Sequence, residues 1–577
     1  MKNSVTWKIG GEAGFGIISA GTMFARTYTR AGYHALVTNE YPSLIRGGHN
    51  LVTVRIATEK IEALNRDVHV LVALNRESVD FHKSELQEGS VIIYDPKDYE
   101  WNISDFSPST VLLPVPFSKM VQELKGEPVM RNTVALGASM AVFGGPFEGL
   151  AKVIEDQFAN KGNAVIDHNV AIARAGYEYV GKNFSGNQSC FLSPVVKRED
   201  QLLLNASEAV GLGAVRAGLK FAAIYPMTPI NALISFLADH AGKLGIVYKQ
   251  PEDEIAGIMM AIGASLAGVR SMVATSGGGF ALMVEGLSFA GMIEVPLVID
   301  LGMRVGPATG MPTWTEQAEL QFAIHAGHGE FPRIVLAPSD AAEAYEQTID
   351  AFNLADRYQV PVFVLTDKYI NESQWCAPVS LFKKPVVIDR GKLARGDDLP
   401  ADGSYRRYSL DTQDGVSLRS TPGMKNGHYY ANSYEHDETG HVTEKAANRV
   451  AIVEKRLKKM IAMKADIQPP SVYGDVDGEI TFVSWGSCKG PVLEAMKLLK
   501  QKKKSVRVVH FSWIYPFPVE ETKRILTMKS RMIIVEQNVT GQLASLIREH
   551  TGIEITEKLL KYDGRPWYPE ELVEKTI

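Results

Sequence analysis

The chain has 577 residues, 45 % of them hydrophobic and 22 % charged, with a net charge of −5. This is too long for one ordinary core and has the composition of a multidomain globular protein, and its charge excludes a general nucleic-acid binder. No apolar run approaches the roughly 20 residues of a membrane-spanning helix, and no long apolar stretch precedes the first glycines, so a cytoplasmic protein with no membrane partner is expected.

The first block, about residues 1–185, opens on a strand, VTWKIGG, that runs into GGEAGFGIISAGTMFARTYTRAGY. Gly10, Gly11, Gly14 and Gly16 precede a helix with apolar residues at helical spacing. Glycines at such a junction let backbone amides approach an anion at a helix N-terminus. The spacing is not GxGxxG, and although HALVTNE ends in the acid Glu40, a dinucleotide site is disfavoured. The next loop, EYPSLIRGGHN, sets Arg46 beside Gly47 and Gly48. Together the two loops suggest a site for an anionic group or for a partner's backbone. Further strands (HVLVALN, SVIIYD, TVLLPVP) alternate with helical stretches, the pattern of a parallel α/β sheet. CFLSPVVKREDQ then reads as a linker.

A second α/β block spans about 195–375. Its strand FAAI ends in YPMTPINAL, where Pro226 and Pro229 bracket Thr228 and restrict the loop that carries it. KQPEDEIAGIMMAIGASLAG predicts a helix apolar almost all round, and hence deeply buried. Glu252 and Asp253 suit the positive end of a helix, but Glu254 already enters the core and needs a partner there. His325 and His328 have helix-face spacing but no third ligand nearby, so they line the substrate pocket or cap an element more readily than they bind metal. Residues 376–470 are polar and turn-rich, a long ordered insert ending in a helix over about 444–464. The last block, about 475–577, carries EITFVSWG, VRVVHFSW and RMIIVEQN, a small third α/β domain. The basic clusters KRLKKM and KLLKQKKK read as solvated helix faces or ends, and Cys488 as a small buried hydrophobe.

Several segments in order, namely YPMTP, EDEIAGIMMAIGASLAGVRSMVATSGGGFALM, GPATGMPTWTEQAEL, EHDETG, FSWIYPFP and EQNVTGQLASLI, resemble the α subunit of 2-oxoacid:ferredoxin oxidoreductases with a γ-type domain fused ahead of it. The resemblance covers nearly the whole chain. It implies a γ-type domain, a thiamine-diphosphate pyrimidine-binding domain and a transketolase C-terminal-like domain, interrupted by the irregular insert. It further implies oxidative decarboxylation of a 2-oxoacid with coenzyme A to acyl-coenzyme A, CO₂ and reduced ferredoxin. 2-Oxoglutarate is the first expectation, with pyruvate and branched-chain or aryl 2-oxoacids as alternatives. A non-oxidative thiamine-dependent transferase is a second reading, against which the γ-type block argues.

By the same resemblance, Glu254 is the glutamate that tautomerises the cofactor's aminopyrimidine, with Tyr225, Pro226, Thr228 and Ser276 beside the cofactor. Thr228, Arg304 and Thr309 face the substrate. Gly11, Gly14, Gly16 and Arg46 fall on the coenzyme A side or on the interface that closes it. Where the family often has arginine between two threonines this chain has Trp314, which leaves Arg304 either as the candidate carboxylate anchor or as a member of a structural ion pair. The sequence has no Gly-Asp-Gly motif, no Asn-Asn pair and three scattered cysteines, Cys190, Cys376 and Cys488. A β subunit is therefore expected to bring the diphosphate site, Mg²⁺ and a [4Fe-4S] cluster, in a dimer of αβ heterodimers served by ferredoxin.

Overall fold

A computed structural model describes residues 2–44, 47–99, 101–184, 192–197 and 199–577 of the protein. Arg46 and Cys190 lie outside the described residues. Two compact units divide the chain. One comprises residues 1–204, 373–383 and 568–571, and the other residues 205–372, 384–567 and 572–577.

The first unit is built on an eight-stranded sheet in the order Val111–Pro114, Leu86–Tyr94, Val68–Ala73, Ser4–Glu12, His49–Ala57, His34–Glu40, Gln374–Pro378, Gln201–Leu204. The first four strands run parallel, and the later pairings are antiparallel. The sheet is thus mixed rather than parallel. His49–Ala57 follows His34–Glu40 after too few residues for a crossover helix, and such neighbours pair antiparallel. Gln201–Leu204, where the expected linker gives way to the second block, and Gln374–Pro378, where that block gives way to the insert, form the strands at its edge, where Trp375 and Ala377 are buried.

The Ile17–Arg30 helix lays Met23, Phe24 and Tyr28 on this sheet, with the Phe24 ring stacked 4.4 Å from Trp7. Two further helices, Arg131–Val142 and Asn163–Asn183, meet backbone to backbone. A Cβ on Gly137 would lie 1.8 Å from the carbonyl oxygen of Ala173, and one on Gly176 2.1 Å from that of Val134.

The second unit holds two sheets. Its seven-stranded sheet runs Trp513–Tyr515, Ile334–Leu336, Pro361–Asp367, Leu297–Met303, Arg270–Thr275, Leu219–Ala223, Val247–Lys249, parallel except for the first pair. The edge strand Trp513–Tyr515 comes from the C-terminal block and ties it to this sheet. The five-stranded sheet runs Ser471–Gly474, Val506–Phe511, Ile480–Trp485, Arg531–Glu536, Glu557–Leu560. One apolar core joins both, with Ile299 and Phe363 from the larger sheet and Val483, Phe511 and Ile534 from the smaller. Cys488 is buried in a second core beneath the smaller sheet.

Residues 384–445 carry no helix or strand, and buried charge holds them. Asp356 accepts from Arg270 at 2.8 Å, Arg390 at 2.8 Å and Arg419 at 3.0 Å. The Ala446–Ala462 helix follows, and here the expectation for KRLKKM is corrected. Lys455 and Lys459 are each 1 % exposed and close on Glu294, Lys455 with 2.6 and 2.7 Å bonds and Lys459 at 2.6 Å. Burial raises the Glu294 carboxyl, but Lys455, Lys459 and Arg407 outweigh it and hold the group well below the ordinary carboxylate range. KLLKQKKK does lie with its lysines exposed.

The Glu254–Leu266 helix is also not buried all round. Its inner side packs on the sheet and on the Gly277–Met292 helix, while Ile255 and Met259 on its outer side are 51 % and 43 % exposed. Among the described residues no helix is long and apolar enough to cross a membrane.

Candidate active site

Three adjacent parallel strands of the second unit end together: Leu219–Ala223, Arg270–Thr275 and Leu297–Met303. The carboxyl ends of such strands are where open α/β sheets bind ligands. The first strand delivers Tyr225 to Pro229, the second delivers Ser276, and the third delivers Arg304. The Thr228–Pro229 peptide bond is cis, and Asn231 opens the following helix with its amide 3.5 Å from the Thr228 hydroxyl. Arg304 donates from Nη1 to the Thr228 carbonyl at 2.8 Å, so the loop between the two prolines is braced by a cation.

Glu254 enters from the helix above. Asp253 caps that helix by accepting from the Ala256 amide at 2.8 Å, which leaves the next carboxyl free of capping duty. Glu254 is 3 % exposed, and its Oε1 has no hydrogen-bond partner. It points at the glycine turn 277–279: a Cβ on Gly279 would lie 2.4 Å from Glu254 Oε1 and 2.1 Å from the Thr275 hydroxyl. Thr275 in turn reaches Met227 Sδ at 4.0 Å, which joins the glutamate to the Thr228 loop. Beside them the Ser276 hydroxyl is buried without a partner, and a Cβ on Gly278 would meet nothing within 4 Å. An unpartnered acid and hydroxyl beside open space suit a ring ligand that donates to them.

Sequence reasoning missed Glu319 and Arg565. Glu319 lies under the same turn, its Oε1 2.5 Å from the position of a Gly277 Cβ. Arg565 stacks its guanidinium 3.3 Å from the centre of the Trp314 ring, the position where an arginine was expected. Thr309 stands exposed on the turn between Val305 and Met311. Beyond Trp314, Gln317 is fixed by the smaller sheet. It donates to the Trp485 carbonyl at 3.1 Å, and its Oε1 accepts from the Gln537 amide at 3.0 Å. His325 is exposed, and His328 lines a cavity of about 610 Å³ with Ile255, Met259 and Phe289. Among the described residues no group of three or more His, Cys, Asp or Glu is placed to hold a metal ion.

In the first unit, Gly11 lies one residue before the end of its strand, where a Cβ would sit 3.0 Å from both Leu74 and Phe15, while Gly14 and Gly16 adopt φ of 92° and 67°. Gly16 is also forced by space, since a Cβ there would lie 2.2 Å from the Asn132 amide that donates to the Phe15 carbonyl at 2.8 Å. Cavities of about 280 and 140 Å³ flank this loop.

Three family models match the chain: pyruvate ferredoxin/flavodoxin oxidoreductase over residues 6–179, the thiamine diphosphate-binding domain of pyruvate flavodoxin/ferredoxin oxidoreductase over 212–455, and the transketolase C-terminal domain over 475–561. The chain is 34 % identical to the alpha subunit of 2-oxoacid:ferredoxin oxidoreductase 2 of Aeropyrum pernix, an alignment that covers 98 % of this chain and 96 % of the relative. It is 32 % identical to the 2-oxoglutarate synthase subunit KorA of Archaeoglobus fulgidus over 64 % of this chain and 97 % of that one. A solved structure, the 2-oxoglutarate:ferredoxin oxidoreductase of Magnetococcus marinus with 2-oxoglutarate, coenzyme A and succinyl-CoA bound, superposes with a TM-score of 0.92. The identity is 32 %, covering 100 % of this chain and 99 % of that one.

Proposed function

The chain belongs to the alpha subunits of the 2-oxoacid:ferredoxin oxidoreductases, and from that premise we propose that it carries the pyrimidine side of a thiamine diphosphate site. There a 2-oxoacid, 2-oxoglutarate first among them, is decarboxylated with coenzyme A to acyl-coenzyme A, CO₂ and reduced ferredoxin. The observation that carries this reading is the buried Glu254 with its unpartnered Oε1 beside an open glycine turn. The similarity to the Magnetococcus marinus structure and to KorA supports the choice of 2-oxoglutarate over pyruvate or branched-chain and aryl 2-oxoacids.

The residues present fit the cofactor. Glu254 would hold the aminopyrimidine and share a proton with its ring nitrogen, with the Ser276 hydroxyl, Tyr225 and Pro226 lining the same place. When bound, thiamine diphosphate supplies the carbon nucleophile for the oxo group. The Thr228 hydroxyl, held by its two prolines and by Arg304, donates to the oxygen on which negative charge develops. Arg304 keeps guanidinium N–H groups beyond the one given to the Thr228 carbonyl, and these take the substrate carboxylate in place of an arginine at Trp314. Thr309 closes the substrate side from its exposed turn. The γ-type loop with Gly11, Gly14 and Gly16, together with Arg46, serves coenzyme A or the interface that covers it.

A β subunit completes the enzyme, bringing the diphosphate and Mg²⁺ ligands and a [4Fe-4S] cluster that passes electrons to ferredoxin. This chain has no CxxC and no Gly-Asp-Gly. The test is expression with and without that partner. The chain alone should bind no iron and reduce no ferredoxin, and co-expression should restore both with 2-oxoglutarate and coenzyme A. A brown, iron-containing preparation of the chain by itself would defeat the reading.

A further inference from the structure

Trp314 and the segment around Arg565 are locked together. The Thr315 amide donates to the Gly564 carbonyl at 3.1 Å. Gly564 has φ of 82°, and a Cβ there would lie 2.8 Å from Met311 Cε and 2.9 Å from Trp314 Cβ, so glycine is what lets the two segments come this close. The next residue, Arg565, lays its guanidinium 3.3 Å from the centre of the Trp314 ring. Such stacking uses the face of a guanidinium and leaves the N–H groups on its edge free to donate. One of them, on Nη1, goes to the Asp563 carbonyl at 3.2 Å. The Asp563 carboxylate is engaged elsewhere, accepting from the Arg565 amide at 2.9 Å and lying 3.6 Å from the Lys561 ammonium. Among the described residues the half-buried Arg565 has no ion-pair partner.

This stacked cation is tied to the Thr228 loop through two further contacts. The Trp314 carbonyl accepts from the Val305 amide at 3.2 Å, and Arg304, one residue earlier, donates to the Thr228 carbonyl at 2.8 Å. One backbone hydrogen bond thus joins the segment that carries the Arg304 guanidinium to the one that carries the platform of Arg565.

We propose that Arg565, seated on Trp314, takes the distal carboxylate of a 2-oxo dicarboxylic acid while Arg304 takes the carboxylate beside the oxo group. The proposal rests on the reading of this place as a 2-oxoacid site anchored by Arg304, and it names the residue that selects among 2-oxoacids. An acid charged at both ends meets both guanidinium groups, each suited to bidentate pairing. A monocarboxylic 2-oxoacid of the same length sets a methyl group against the Arg565 donors and leaves them unpaired. The tryptophan supplies a flat face that fixes the long arginine side chain before substrate arrives, which removes part of the ordering cost of binding. Trp314 stands where the family often has arginine, and Arg565 restores a cation there from a distant segment of the chain.

The test compares steady-state turnover of 2-oxoglutarate and of 2-oxovalerate by the assembled complex; 2-oxovalerate has the same chain length and a methyl group in place of the distal carboxylate. The wild type should prefer 2-oxoglutarate. In Arg565→Gln that preference should fall about 10–100-fold, the loss expected for a hydrogen-bonded charge pair, with nearly all of the change in the KM for 2-oxoglutarate and little in kcat. Arg565→Lys keeps the charge but not the planar fork, and should recover part of the preference. A merely structural role would depress turnover of both acids alike. Either that outcome or a preference that survives in Arg565→Gln would overturn the proposal and leave the site reading in place. A wild-type complex that turns over 2-oxovalerate as readily as 2-oxoglutarate would overturn the choice of 2-oxoglutarate, and this proposal with it.

Discussion

Glu254 occupies the first position of its helix, where a carboxylate ordinarily stays in water and gains a few tenths of a kcal/mol from the dipole. Here Asp253 takes the cap, and Glu254 is buried with its Oε1 unpartnered. Thr228 is the complementary case, a half-buried hydroxyl on a loop braced by prolines and by Arg304. Thr228→Val keeps its shape and removes the donor, so turnover of the oxoacid should fall roughly 10–1,000-fold. Full turnover in that variant would make Thr228 a turn residue only. Both residues were legible in the sequence because their neighbours break a local rule: an acid follows a cap into an apolar run, and a threonine is fenced by prolines. Glu319 and Arg565 were not. Glu319 follows a polar stretch as any surface acid would, and Arg565 meets Trp314 only because the chain folds back from a distant segment.

Periodicity located most strands and helices, but it could not say which faces are dry. KRLKKM has the composition of a solvated face, yet two of its lysines converge on a single glutamate contributed by a turn after the Gly277–Met292 helix. No pattern within the helix encodes that partner. Removing one member of a buried ion cluster leaves the others uncompensated, at a cost of about 3–5 kcal/mol. Glu294→Gln should therefore shift the chemical denaturation of the second unit by that amount, while Lys502→Gln in the exposed basic cluster should change it by less than about 0.5 kcal/mol. Equal effects would mean that the cluster is not the clamp of the insert. The Glu254–Leu266 helix departs in the opposite sense, since its all-round apolarity predicts complete burial. Its outer side is open in this chain by itself, since Ile255, Met259 and Met260 carry apolar surface that the isolated subunit does not cover. The mixed first sheet follows similar logic: strand composition was readable, but direction depends on loop length and on strands lent from residues 201–204 and 374–378.

Across the whole molecule, the α/β class, the three matched regions and the ordered insert could be read from the sequence, because motif order survives where individual contacts do not. What the sequence lacks matters as much: the absence of Gly-Asp-Gly and of CxxC is what leads the proposed reading to assign the diphosphate and the cluster to a partner subunit. The account stands on Glu254 in the assembled enzyme, and the most direct measurement is exchange of the thiazolium C2 proton of bound thiamine diphosphate, which needs no oxoacid. In the complex carrying Glu254→Gln, which keeps volume and a hydrogen bond but cannot share the proton, exchange should slow by about 10²–10⁴-fold with the complex intact. Exchange at the wild-type rate in that variant would show Glu254 to be only a helix-end charge and would contradict the placement of the active site.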